Sequence, residues 1–237
     1  MQIFQKGFNY SQDGPGNRLV YHLTGCNMRC PWCSNPECME TGGENLSPEE
    51  IYSEALSCRA LFFDGGGVTF TGGEPTLQFE ELKTALILLK KAGISAAIES
   101  NATHPRLAEL FPLLDALILD FKHWDDGAHF AATGQHNRAV KENLCAAFSL
   151  HPNLLVRTVL IKGFNDTQND AEAFAAFYRK NGGGRAKFEF LPYHEYGKAK
   201  WKKCGREYAV TDAFVSEQTV QTYAEIYRQN HLNVVKT

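Results

Sequence analysis

No stretch of this chain approaches the roughly 18 apolar residues of a membrane-crossing helix. The opening MQIFQKGFNY lacks the apolar core of a secretion signal. The expectation is a cytoplasmic chain with no membrane role. A basic excess is also missing: 24 Lys and Arg stand against 27 Asp and Glu, a formal net charge of −3, which argues against nucleic acid as a partner. There is no internal repeat and no low-complexity linker, so residues 1–237 read as a single domain. A disulfide framework is excluded too. Seven cysteines is an odd number, and three are crowded into eight positions, which points to metal or redox chemistry. What remains is an ordinary globular composition, 43% hydrophobic and 22% charged.

Short apolar runs alternate with helical patterns. Strands are expected at 19–24, 68–73, 95–100, 116–121, 154–161 and 186–192. Helices are expected at 48–58, 79–93, 105–114, 138–150 and 168–180, with a last one near 213–229. Ser47 reads as an N-cap with Pro48 in the first turn. Gly93 reads as a stop, and Pro112 must bend or end its helix. Strand-then-helix alternation implies right-handed βαβ units and a parallel sheet. Six units suit an α/β fold of the incomplete (β/α)6 TIM-like barrel type; a flat doubly wound sheet is the rival. In either, sites gather at the C-terminal ends of the strands.

Immediately after the first expected strand stands Gly25-Cys26-Asn27-Met28-Arg29-Cys30-Pro31-Trp32-Cys33, a C-x3-C-x2-C spacing. Thiolates select zinc or iron–sulfur clusters. Structural zinc and ordinary four-iron clusters both take four protein ligands, and this loop supplies three. Three thiolates on a cubane leave one iron open to a substrate-like ligand. The rival reading adds Cys38 and closes a zinc site. Cys58 and Cys145 fall in helical patterns and read as buried small residues, and Cys204 lies in a polar loop; no metal is assigned to these four.

Further along, Gly72 and Gly73 allow a tight turn and close backbone approach. Asp120 and Lys122 are two apart and so share a face, either as a plain ion pair or as a site. Arg157 lies in a strand that should be buried, so it needs a carboxylate, from a ligand or from an internal Asp or Glu.

Five motifs together resemble the radical S-adenosylmethionine (SAM) superfamily, and within it the glycyl-radical-enzyme activating enzymes of the pyruvate formate-lyase activase type. They are Asp13-Gly14-Pro15-Gly16-Asn17-Arg18, the cysteine loop with Asn35-Pro36-Glu37, Thr71-Gly72-Gly73-Glu74-Pro75, Leu119-Asp120-Phe121-Lys122, and the run from Leu191 to Trp201. The resemblance implies one 4Fe-4S cluster on Cys26, Cys30 and Cys33, with SAM chelating the open iron. It implies SAM contacts from Trp32, Ser34, Gly72, Gly73, Glu74, Asn101, Asp120, Lys122, Arg157 and His194. Glu99 and Asp120 are suggested to hold a monovalent cation, and Asp13, Gly14 and Arg18 to touch the partner peptide. Loop 193–206 is a candidate part of the mouth.

The implied reaction is reductive cleavage of SAM to methionine and a 5′-deoxyadenosyl radical, which takes a hydrogen atom from a glycine of a partner glycyl radical enzyme. A flavodoxin or ferredoxin is the implied reductant, and a monomer is expected. Many relatives carry a ferredoxin-like insert after the cysteine loop. Here only Cys38 and Cys58 lie between Cys33 and Gly72, too few for a second cluster, so the expectation is a core at about 16–193 with no such insert. The rivals are a radical SAM enzyme acting on another peptide or small molecule, a zinc-stabilised binding module, and a simple electron carrier.

Overall fold

In a strand, successive side chains leave on opposite faces, so alternating sequences sort residues into two environments. The computed structural model, which describes residues 1–236, shows this sorting in a nine-stranded sheet. The strands are β1 (Gln2–Tyr10), β2 (Asn17–Leu23), β3 (Glu44–Asn45), β4 (Gly67–Gly72), β5 (Ser95–Ser100), β6 (Ala116–Asp120), β7 (Leu154–Leu160), β8 (Lys187–Pro192) and β9 (Asn233–Val234). The helices are α1 (Pro48–Ser57), α2 (Phe79–Lys91), α3 (Asp126–Thr133), α4 (Arg138–Leu150), α5 (Gln168–Lys180), α6 (Lys198–Lys203) and α7 (Glu217–Gln229).

The spatial order is β3-β1-β2-β4-β5-β6-β7-β8-β9. The pairs from β2 through β9 are parallel, and β1 runs antiparallel to β2 and β3. Among the described residues β2 and β8 do not pair, so the sheet stays open. Six parallel strands, β2 and β4 to β8, are the incomplete (β/α)6 barrel expected from the sequence.

One face of the sheet is apolar. Tyr21, Phe70, Ile98, Leu119, Val156 and Phe188 join the main core beneath the helices. The other face is polar. Arg18, Thr69, Glu99, Asp120, Arg157 and Glu189 stand on it, and Asp120, Arg157 and Glu189 lie side by side in register. A barrel lined with charge is unsuited to serve as a hydrophobic core and suited to hold a polar ligand.

Helix ends follow the expected chemistry. Ser47 accepts from the Glu50 amide, and Glu50 answers with a bond to the Ser47 amide. Thr167 and Asp170 repeat this box at α5; such caps are each worth about 1 kcal/mol. Three expectations need correction. Residues 107–113 form a 3-10 helix around Pro112 rather than an α-helix, because proline has no amide to donate to the ladder. Strand β1 was absent from the sequence reading; it lies largely exposed at the sheet edge, so alternation gives no signal there. Helices α3 and α6, at 8 and 6 residues, are too short for a helical period to stand out. Among the described residues no helix is long and apolar enough to cross a membrane.

The segment before β2 tucks into the N-terminal end of the barrel. The Thr69 hydroxyl donates to the Asp13 carbonyl at 2.7 Å, and the Arg157 guanidinium donates to the Gln12 carbonyl. Gly16 has φ +70°, and a Cβ there would fall 2.4 Å from the Phe63 carbonyl oxygen, so the turn is closed to larger residues.

Candidate active site

The strand ends at the opposite rim surround a cavity of about 220 Å³. Cys26, Cys30 and Cys33 line it together, none in a disulfide. The cysteine loop is held from several sides. The Gly25 amide donates to the Glu40 carbonyl at 2.9 Å, and the Arg29 amide to the Thr133 carbonyl of α3 at 2.9 Å. The Trp201 indole donates to the Cys33 carbonyl at 2.9 Å. Two loop amides, of Met28 and Asn35, point at the sulfurs of Cys26 and Cys33 at 3.4 Å.

Amides aimed at sulfur favour thiolate, and three free thiols on one cavity are the donor set a cubane needs. A cubane binds its thiolates through different irons, so they stand further apart than ligands gathered about 2.3 Å from a single zinc. Among the described residues no group of three or more His, Cys, Asp or Glu is placed to hold a single metal ion. Cys38 is fully buried and does not line the cavity, so the four-cysteine zinc reading is not built here. The residues fit a three-ligand cluster. Burial pushes the metal-free thiols up, Cys26 to about 11 and Cys30 to about 12, and raises Cys33 as well; binding iron therefore displaces protons.

The glycine turn explains itself in backbone terms. Gly72 has φ +113°, and a Cβ at Gly73 would lie 2.1 Å from the Gly25 carbonyl oxygen. The Gly73 amide donates to the Leu23 carbonyl at 2.8 Å and the Glu74 amide to the Gly25 carbonyl at 2.7 Å. The turn thus packs chain against chain at the root of the cysteine loop, while both glycines still line the cavity.

Glu74 is a correction. It is fully buried and off the cavity wall. Its carboxylate accepts from the Thr76 amide, the Thr76 and Ser100 hydroxyls and the Asn101 amide, which staples the turn to the end of β5. Burial raises its pKa against the pull of these donors.

Trp32, Ser34, Asn101, Asp120, Lys122 and His194 do line the cavity. Asn101 bonds Asn27 across the mouth at 2.8 Å, tying β5 to the cysteine loop. Lys122 and Asp120 pair at 3.0 Å. Burial alone would lower the Lys122 pKa; Asp120, Cys30 and Cys26 outweigh it and keep the ammonium charged. His194 stacks on Tyr196 with ring centroids 4.1 Å apart, and partial burial lowers its pKa, which keeps it neutral.

Arg157 is a second correction. Its donors go to Glu189 at 2.6 Å, Glu99 at 2.8 Å and the Gln12 carbonyl, and it does not line this cavity. An internal carboxylate pair satisfies its charge, and it does not reach the cavity that would hold SAM. This also corrects the suggested cation site. Glu99 lines the cavity but gives one oxygen to Arg157 and the other to the Thr71 hydroxyl at 3.2 Å, while Asp120 is engaged by Lys122. The protein's own cations neutralise both.

Arg18 is the last correction. It has no exposed surface and donates inward to Thr69 at 2.6 Å and to the Val68 carbonyl at 2.7 Å. Such a residue cannot touch a docked peptide; it braces the barrel floor. Asp13 and Gly14 lie at that same N-terminal end, away from the cavity wall. Of loop 193–206, only Tyr193 and His194 reach the wall.

Sequence reasoning missed Thr71, Met28 and Met39 as lining residues, and Asn27 as a brace. Thr71, which precedes the glycine pair, and Asn27, within the cysteine loop, were legible by position; the methionines carried no signal.

The Radical SAM superfamily model matches residues 20–175. The pyruvate formate-lyase 1-activating enzyme of Escherichia coli is 34% identical over 202 residues, 83% of this chain and 82% of that one. The pyruvate formate-lyase-activating enzyme of Clostridium pasteurianum is 33% identical over 218 residues, 91% of each. The crystal structure of a domain of pyruvate-formate lyase-activating enzyme from Bacteroides vulgatus superposes with a TM-score of 0.60 at 24% identity, covering 72% of this chain and 98% of that chain. The chain belongs to the radical SAM superfamily, whose cofactors are a 4Fe-4S cluster and SAM, and within it to the glycyl-radical-enzyme activating enzymes.

Proposed function

We propose that this chain installs a radical on a glycine of a pyruvate formate-lyase-like glycyl radical enzyme, as one radical SAM domain with its core at about residues 16–193 and no ferredoxin-like insert. A 4Fe-4S cluster and SAM, when bound, would supply the one-electron chemistry for taking a hydrogen atom from that glycine. The observation that carries this reading is the cavity with three free cysteines and no fourth cysteine on its wall.

Cys26, Cys30 and Cys33 hold the cluster. Gly72 and Gly73 bring bare backbone to the ligand and present main-chain oxygens to its ammonium. Lys122, kept charged by Asp120, lines the cavity and would offer a charge-assisted bond to the ligand's carboxylate. Trp32, Ser34 and His194 form the nucleoside end, and neutral His194 contacts the adenosine without adding a second cation. Placement matters here, since an error of about 1 Å can cost on the order of a hundredfold in rate.

The partner's glycine loop reaches this cavity through the open side of the sheet, between strands that do not pair. The chain works as a cytoplasmic monomer supplied by a flavodoxin or ferredoxin. The test is anaerobic reconstitution with SAM and a reductant, then incubation with pyruvate formate-lyase. A glycyl electron-spin signal is the expected result. SAM cleavage without that signal would move the reading to another peptide or small molecule.

A further inference from the structure

We propose that the outer face of α6 is the docking surface for a negatively charged one-electron carrier protein, which delivers its electron from behind the cysteine loop. The proposal rests on the radical SAM reading above and adds where the electron enters and what charge its carrier bears.

Residues 195–207 carry five basic and two acidic side chains, in a chain whose overall charge is −3. Part of the excess is absorbed locally: Lys198 pairs with Glu195, Lys200 reaches Asn35 and lies 3.7 Å from the Glu37 carboxylate, and Arg206 takes Glu40. Among the described residues Lys202 and Lys203 have no ion-pair partner, and both are exposed. A basic patch on an acidic protein steers an acidic partner to one place and raises the encounter rate.

The seat of this patch points to electron delivery. Helix α6 is fastened to the last cysteine of the loop. The Trp201 indole holds the Cys33 carbonyl at 2.9 Å, and Lys200 holds Asn35 at 2.9 Å. A Cβ on Gly197 would lie 2.6 Å from the Cys33 carbonyl oxygen, so the two backbones are in direct contact. Yet no residue of α6 lines the cavity. The helix therefore sits behind the cysteine loop, outside the cavity wall. A carrier bound there leaves the cavity mouth free for the partner's glycine, so both proteins can be engaged in one cycle. In the transfer the reduced carrier loses one electron and the group held by Cys26, Cys30 and Cys33 gains it. No proton or bond moves.

The test compares the reconstituted holoenzyme with the K202E/K203E variant, and with K91E/K180E as a charge-matched control on other exposed lysines. Flavodoxin is the probe. Its affinity is measured by titration calorimetry at low and high salt, and SAM cleavage is driven in parallel by reduced flavodoxin or by dithionite. K202E/K203E is expected to bind flavodoxin about tenfold more weakly at low salt, with a matching loss in the flavodoxin-driven rate. Its dithionite-driven rate stays at the wild-type value, and K91E/K180E matches wild type throughout. Wild-type affinity in K202E/K203E, affinity indifferent to salt, or a loss seen instead in binding the glycyl radical enzyme would overturn the proposal. If wild type fails to cleave SAM with either donor, the functional reading falls, and the binding titration still decides the docking surface.

Discussion

Arg157 and Glu189 face each other across adjacent parallel strands with Nε and Oε2 2.6 Å apart, both almost wholly buried. Glu99 completes the group from two strands away at 2.8 Å. Burial works against the guanidinium charge, and the two carboxylates overcome it, so the Arg157 pKa is raised. Replacing Arg157 with Met removes the cation that offsets two carboxylates in the barrel. A loss of about 3–5 kcal/mol is expected, the usual cost of breaking a buried pair from one side. Urea unfolding measures it, and adding Glu189→Gln to that variant should recover part of the loss. A midpoint unmoved by Arg157→Met would contradict the pairing.

Gly197→Ala tests the contact between α6 and the cysteine loop by size alone. The added methyl would meet backbone atoms of Cys33 and Ser34 at 2.6 and 2.8 Å. Main chain yields little, so the loop must shift. Overpacking of this kind costs about 1–3 kcal/mol. The expected result is a folded protein that loses iron faster on a desalting column than wild type does. Equal iron retention would show that the contact is not needed to hold the loop.

Cysteine substitution separates three ligands from four. Cys30→Ala should abolish both cluster binding and SAM cleavage. Cys38→Ala removes a buried thiol outside the cavity and should leave both close to wild type. Reconstituted wild type should carry about four irons and four sulfides per chain. Loss of the cluster in Cys38→Ala, or about eight irons per chain, would be incompatible with a single three-thiolate site.

Acid sensitivity follows from two buried histidines. His129 and His151 are pushed below their usual pKa of 6.5, chiefly by burial. In the window just below 6.5 the unfolded chain binds more protons than the folded one, so stability rises with pH. Chemical denaturation at pH 7.5 and 5.5 should show lower stability at 5.5, and His151→Gln should flatten part of that slope. Equal stability at both values would mean these imidazoles titrate normally.

Much of the fold was readable because parallel α/β strands announce themselves as apolar runs between helices. VTFT and ALILD are examples; both became central strands. What escaped was local or edge structure. β1 faces water along most of its length, so its aromatic residues Phe4, Phe8 and Tyr10 gave no inward stripe. At the site, the cysteine loop and the Asp120–Lys122 pair were legible because their chemistry lies in residue type and spacing. Arg18, Glu74 and Arg157 were misassigned for one shared reason. A charged residue inside a motif looks like a ligand contact until its internal partners are known, and those partners lie between 2 and 145 positions away in sequence.

The barrel floor has one property that substitution tables would overlook. Thr69 and Arg157 grip the carbonyl oxygens of Asp13 and Gln12, not their side chains. A cork made of carbonyls is indifferent to lettering: Gln12 can be exchanged for almost any residue and the seal persists. A change in the length of that segment, a larger residue at Gly16, or the loss of the two gripping side chains would loosen the floor.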